Sequence, residues 1–172
     1  MDRARVTLRP AVEGDLELLV RLYSRQVSAP FNWSGHRSAA VVARRLEKDG
    51  LVSPDDGTLI VVLEDGTAVG SVGWRAVDHG APPSSRCWNI GITLVPEHRG
   101  RGIGAEAQRL LAEDLLSTTT VNRIEADTDV SNVAEQRALS KAGFRREGVL
   151  RGAQFRDGRW NDLVMFSRLR QD

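Results

Sequence analysis

The chain has 172 residues, 41% of them hydrophobic and 27% charged, enough for one compact domain and too apolar for general disorder. Twenty-four Lys plus Arg against 23 Asp plus Glu leave a formal charge of +1, which supplies no broad field for a nucleic-acid backbone. The longest apolar stretches, such as Leu59 to Leu63, fall far short of the roughly 20 residues that cross a bilayer. Met1-Asp2-Arg3 leads into no signal-like run, and Cys87 stands alone. The expectation is a cytoplasmic chain with no internal disulfide and no thiolate-rich metal site.

Val6 and Leu8 alternate with Arg5 and Arg9, predicting a strand that stops near Pro10. Leu16, Leu19, Val20 and Tyr23 at helical spacing predict a helix over Asp15 to Tyr23. After a break at residues 30–35, Ala39, Val42, Ala43 and Leu46 mark a second helix, closed by Gly50. The segment between them, with Phe31 and Trp33, is the expected substrate lid. Thr58 to Leu63 and Ala68 to Val77 read as strands joined by a tight turn at Asp65-Gly66. A loop over His79 to Arg86 leads into the apolar strand Trp88 to Val95, which Pro96 closes.

Ile103, Ala107, Leu110 and Leu111 line one face of a helix reaching Leu116. Val121 to Ala126 predicts a strand and Val133 to Ala142 a helix, with Asn132 and Glu135 as its capping box and Gly143 as a left-handed exit. Strands from Phe144 to about Gly152 and from Trp160 to Ser167 flank a second hairpin signal, Asp157-Gly158. The sum is a single α+β domain over residues 1–172, a mixed sheet carrying about four helices, with no internal repeat.

The chemically informative stretch is Arg99-Gly100-Arg101-Gly102-Ile103-Gly104, set between a strand and a helix. Its glycines permit a sharp turn that brings backbone amides close to an anion, and the helix adds the positive end of its dipole. No Gly-Lys-Ser or Gly-Lys-Thr follows, so this is not a nucleoside-triphosphate loop. It resembles the acyl-CoA-binding motif of the GNAT superfamily of N-acetyltransferases. Arg9-Pro10-Ala11 with Asp15, the run Asn132 to Phe144, and Phe155, Gly158 and Asp162 extend the resemblance to a Rim-type branch that includes acetyltransferases of ribosomal-protein amino termini.

The resemblance implies a centrally splayed sheet, acetyl-CoA as the donor, and its pyrophosphate held by the amides of Arg101, Gly102, Ile103 and Gly104. Arg99 and Arg101 offer side-chain charge, whose ordinary role is solvation of an exposed turn. Leu94 and Val95 would meet the pantetheine arm where the strands diverge, the Leu94 amide also stabilising negative charge on the thioester oxygen. Asn132 would contact the CoA arm, cap its helix, or both. The implied reaction is direct attack by a primary amine in a ternary complex, most naturally the amine of a protein or peptide amino terminus. A small amine (amino acid, amino sugar or polyamine) and a noncatalytic acyl-CoA-binding module are the alternatives. The wider family is often homodimeric, but no stripe in the sequence marks an interface.

The base is the open question. The residue matching one familiar acidic position is Asn89 and that matching another is Gln154, so each would orient water or substrate. Glu97 beside the turn and Asp162 on a terminal strand are the acidic candidates, with Glu13 and Asp129 behind them; capping and salt bridging are the ordinary roles of all four. Leu139 stands where other branches carry a tyrosine thiol acid. His36, His79 and His98 form no metal-binding pattern. Trp33, Trp74, Trp88 and Trp160 are either core or pocket borders.

Overall fold

The computed structural model describes residues 5–32, 35–81, 83 and 85–172. A strand β1 (Val6–Pro10) is followed by a 3-10 turn at Glu13–Asp15, helix α1 (Leu16–Leu22), a single-turn helix α2 (Arg25–Ser28) and helix α3 (Ala39–Asp49). Three strands follow: β2 (Asp56–Leu63), β3 (Ala68–Asp78) and β4 (Arg86–Leu94). A 3-10 turn at Pro96–His98 leads to α4 (Ile103–Thr118), β5 (Arg123–Asp129), α5 (Val133–Lys141), β6 (Arg145–Arg156) and β7 (Arg159–Leu169). Among the described residues there are thus five α-helices rather than about four. The additional one, α2, is a single turn whose four residues carry no readable periodicity.

Local chemistry accounts for the boundaries. Gly50 ends α3 at φ 61°, Gly66 closes the β2–β3 hairpin at φ 86°, and Asp157 and Gly158 both take positive φ in the β6–β7 turn. Asn132 caps α5 by accepting from the Glu135 N–H at 3.4 Å.

The strands form one sheet in the order β1-β2-β3-β4-β5-β7-β6. Every pairing is antiparallel except β4 with β5, whose strands are joined through the α4 crossover. That parallel pairing covers only Trp88–Ile124, Asn89–Glu125 and Ile90–Ala126. Beyond Ile90 the strands separate, which opens the sheet at its centre.

Alternation decides what each face of the sheet meets. Trp88, Ile90, Ile124 and Ala126 join Ala107, Leu111, Ala112 and Leu115 of α4 in the larger apolar cluster. Ile60 and Val62 pack with Leu19 of α1 and Val42 of α3 in a smaller one. Asn89, Glu125 and Asp127 alternate with the core-facing residues and occupy the other face. Gly70 lies opposite Leu94, and a Cβ there would stand 2.4 Å from the Thr93 carbonyl oxygen. Only glycine lets β3 lie so close to the end of β4.

No helix among the described residues is long and apolar enough to cross a membrane.

Candidate active site

The end of β4 is built as a donor site. Val95 N–H bonds Val69 O at 3.0 Å, so in the antiparallel alternation Leu94 and Ile92 turn their own N–H and C=O groups away from β3. Both carbonyls find partners on that side. Arg99 donates to Leu94 O through Nε at 3.0 Å and Nη2 at 2.8 Å, and Asn32 Nδ2 donates to Ile92 O at 3.2 Å. The Leu94 N–H is directed into the opening left by β5.

Two clefts meet there. The first, about 500 Å³, is lined by α2 and the residues after it, by Leu94, Gly100, Gly102 and Gly104, and by Asn132, Glu135, Arg137 and Lys141 from the start and face of α5. The second, about 470 Å³, lies over β3, β4 and β5. Asn32, Ile92, Thr93, Asn132 and Glu135 line both. A ligand in one cleft therefore borders a ligand in the other at these residues.

The glycine turn has the geometry an anion needs. Gly100 and Gly102 stand at φ 72° and 80°, a region that L side chains rarely adopt. Gly102 is the residue before the first turn of α4, and Glu106 N–H to Gly102 O at 3.1 Å is the helix's first bond. The N–H groups of Ile103, Gly104 and Ala105 consequently have no partner within the helix and carry its positive dipole end. Arg137 and Lys141 add positive charge to the same cleft from α5, one turn apart. They went unnoticed in the sequence, where two basic residues four apart on a helix read as a solvated face.

The residues expected to do chemistry divide. Leu94, Asn89 and Asn132 line the clefts. Asn89 is buried and donates to Asp127 Oδ2 at 2.7 Å, and Asn132 also donates to Thr128 Oγ1 at 3.0 Å. Arg99 lines the first cleft, but its guanidinium is engaged by Leu94 O and, at 2.6 Å, by Val27 O. Arg101 is exposed, with Nη1 3.4 Å from His98 Nδ1, and the side chains of Val95 and Ile103 are buried in the core.

Glu97, Gln154 and Asp162 are not among the lining residues of either cleft. Glu97 is paired with Arg21 on an exposed turn, its carboxyl held below the ordinary range by backbone hydrogen bonding and then by Arg21. Gln154 accepts from Arg156. Asp162 Oδ1 accepts the Gly152 N–H at 2.7 Å and so braces an irregular part of β6. Glu13 lies in the first 3-10 turn, and Asp129 forms a buried ion pair with Arg156. Local role explains each placement: the sequence carries the residue type, while the fold engages it in capping or bridging.

Glu135 is the carboxylate that sequence reasoning assigned only to a cap. It lines both clefts, and burial pushes its carboxyl up to about 7, against a smaller lowering by Gln108. Gln108 is fully buried; its Nε2 donates to Gly104 O at 3.1 Å and its Oε1 has no partner among the described residues. A carboxyl group titrating near neutrality at the junction of two clefts is suited to accepting a proton from an amine. Its third position in α5 hid this, because a Glu there is also what a capping box requires.

The segment expected to form a lid is described only as far as Asn32 and again from Gly35. Phe31 lines the first cleft; its carbonyl accepts from Arg156 Nη1 at 3.1 Å, and the Arg156 guanidinium lies 5.8 Å from its ring centroid. Trp33 lies outside the described residues. Trp74 lines the second cleft, Trp88 is core, and exposed Trp160 packs edge-on to Phe155 at 5.4 Å.

Cys87 is buried, its thiol pushed up to about 11 by burial and then by Glu125. Among the described residues His79, Cys87 and Glu125 bring possible metal donors within 4.8 Å. Glu125 already accepts from His79 Nε2 at 2.6 Å and from Arg123 Nε at 2.5 Å, so a positive charge stands where a cation would bind.

The acetyltransferase (GNAT) domain family matches residues 5–145. The chain belongs to that family. An uncharacterized N-acetyltransferase p20 from Bacillus licheniformis is 31% identical over 113 residues, 66% of this chain and 61% of that protein. An aminoglycoside N(6')-acetyltransferase type 1 from Klebsiella pneumoniae is 25% identical over 158 residues, covering 84% of this chain and 76% of that one. The GNAT fold is also that of the spermidine N-acetyltransferase from Vibrio cholerae, whose structure with CoA and spermine superposes at a TM-score of 0.82, with 19% identity and 96% of each chain covered. The chain thus spans about three fifths of the length of the first of these relatives. The family assignment stands without the Rim-type branch that the sequence suggested.

Proposed function

We propose that this chain transfers the acetyl group of acetyl-CoA to the primary amine of a small molecule. The observation that carries the reading is the junction of two clefts at Asn32, Ile92, Thr93, Asn132 and Glu135, with the Leu94 N–H aimed into the gap beside it. Acetyl-CoA supplies an activated thioester. The free N–H groups of Ile103, Gly104 and Ala105 would hold its pyrophosphate, with Arg137 and Lys141 as further cationic partners, and the peptide edge at Leu94 would receive the pantetheine arm.

Three jobs remain for the chain's own groups. Leu94 N–H offers a fixed donor to negative charge developing on an acyl oxygen, held in place by the Arg99 grip on the same residue's carbonyl. Glu135, its carboxyl pushed up to about 7 by burial, takes the proton that an ammonium must lose before its nitrogen can attack. Asn32, held by its bond to Ile92 O, borders both clefts and would help position the acceptor beside the thioester. Leu139, fully buried, donates no proton, so the departing sulfur takes one from the amine or from solvent.

A protein amino terminus, the acceptor expected from the sequence, receives less support than a small amine. The relatives with named acceptors described above act on aminoglycosides and on spermidine. Incubating the protein with acetyl-CoA and a mixed panel of peptides and small amines, with mass spectrometry for an added acetyl group, tests both levels. Acetyl-CoA binding without transfer to any amine would favour the noncatalytic module.

A further inference from the structure

The second cleft has a charge distribution that names its occupant more closely, granted the acetyl-transfer reading above. It is lined by three arginines, Arg37, Arg45 and Arg75, and by three carboxyls, Asp56, Asp127 and Glu135. Arg45 is spent on Asp56, Nη2 to Oδ2 at 2.6 Å. The Arg37 guanidinium lies 4.5 Å from the Tyr23 ring centroid. Among the described residues neither Arg37 nor Arg75 is within ion-pair distance of a carboxylate, and Asp127 has a neutral partner, Asn89, and no cation. The cleft therefore keeps uncancelled charge of both signs.

The sheet arranges those charges in order. Arg75 is opposite Asn89 across β3 and β4, and opposite residues of an antiparallel pair point to the same face. Asn89 bonds Asp127, so that carboxylate shares the face too. Two residues further along, Gly73 and Gly91 face each other, and a Cβ at Gly91 would meet nothing within 4 Å. Two residues beyond them Ser71 faces Thr93, and Thr93 lines both clefts. From the Arg75 level to the Thr93 level is four residues, about 13 Å of strand, with open space over Gly91 between.

We propose that the acceptor is a basic amino acid such as lysine or ornithine, acetylated on its side-chain amine: a small amine that also carries a carboxylate at its far end. Its reacting amine lies toward Thr93 and Glu135, its body over Gly91 and past Asp127, and its carboxylate against Arg75 and Arg37. Guanidinium groups suit a carboxylate because their paired N–H donors match its two oxygens. A polycation in the same cleft would set a second ammonium against unneutralised arginines, and like charges brought together oppose binding.

The test uses the whole purified protein at saturating acetyl-CoA, with initial rates on matched acceptors that differ only in the carboxylate: lysine against cadaverine and ornithine against putrescine. The other common amino acids, spermidine, kanamycin and a short peptide complete the panel. The expected result is an amino acid preferred in kcat/KM over its decarboxylated partner by about tenfold or more, as one charge-assisted contact supplies. Arg75→Met and, separately, Arg37→Met should shrink that ratio mainly through KM, and Arg75→Lys should restore part of it. Preference for cadaverine, putrescine, spermidine, kanamycin or the peptide would overturn the amino-acid acceptor while leaving the transferase standing. A ratio that neither arginine variant moves, with both variants folded by their melting curves, would also overturn it. Transfer to no amine, with acetyl-CoA binding seen by calorimetry, would overturn the transferase reading and this one with it.

Discussion

Arg99 grips the carbonyl of Leu94 with two donors, at 3.0 and 2.8 Å, while the N–H of that same leucine faces the opening between β4 and β5. One side chain thereby fixes the peptide plane that presents the donor. A third bond, to Val27 O at 2.6 Å, ties α2 to the same point. Arg99→Lys keeps the charge and loses the fork, so we expect a stability loss of about 1–3 kcal/mol in urea unfolding. We also expect a fall in kcat larger than the rise in the acetyl-CoA KM. A variant with reduced acetyl-CoA affinity and wild-type kcat would show the arginine acting on the cofactor instead.

The Glu135 carboxyl, raised from 4.5 to about 7 by burial, has consequences for rate and for stability. Between those pH values the folded chain holds a proton that the unfolded chain has released, so stability falls as pH rises through the window, and the burial cost is fully present above pH 7. Glu135→Gln removes the ionisation. Its melting temperature should exceed the wild type's at pH 8, and the advantage should shrink toward pH 4.5. Its turnover should fall by about 100-fold or more, and the rise in rate with an apparent pKa near 7 should vanish. Persistence of that rise in the variant would assign it to another group.

We expect phosphate binding at the glycine turn to depend on backbone shape more than on side-chain charge. Gly102 at φ 80° precedes the free amides of α4, and a β-branched residue there meets a strain of about 1–3 kcal/mol and tilts the turn. Isothermal calorimetry should show acetyl-CoA binding weakened by about tenfold or more in Gly102→Val. Arg101→Ala, which removes an exposed side chain, should weaken it far less. Equal losses in the two folded variants would make the charge the main contributor.

Arg156 and Asp129 form a buried pair, 8% and 5% exposed, and Arg156 also holds the Phe31 carbonyl over the first cleft. Ser131 and Arg156 together hold the Asp129 carboxyl below its ordinary range despite burial. Removing the cation leaves an uncompensated carboxylate, so Arg156→Met should cost about 3–5 kcal/mol at neutral pH. That loss should diminish as acid protonates Asp129. In whatever folded fraction remains, the acetyl-CoA KM should rise because Phe31 is no longer tied to β6.

Periodicity and turn chemistry are local, and they determined most of the architecture. The 3.6-residue stripes of α3 and α4, the capping Asn132 and the Asp-Gly hairpins fix element types within a few residues. They also fix the positive-φ glycines before α4, since only glycine adopts that backbone freely. The cofactor-side expectations came from the family resemblance carried by the Arg99 to Gly104 turn, and of the residues it named Leu94, Gly102, Gly104 and Asn132 line the first cleft.

Tertiary structure alone decided which polar side chains are free for chemistry. Glu97, Asp162 and Glu135 are equally acidic in a sequence. They differ because an arginine from α1 meets the first, a backbone N–H from β6 meets the second, and the third stands partly buried, with no arginine or lysine ion pair among the described residues, where two clefts join. Arg99 and Arg75 differ for the same reason: carbonyls of α2 and β4 saturate one, and no carboxylate of the described chain reaches the other. Partners distant in sequence set these states, so composition and spacing along the chain hold no record of them.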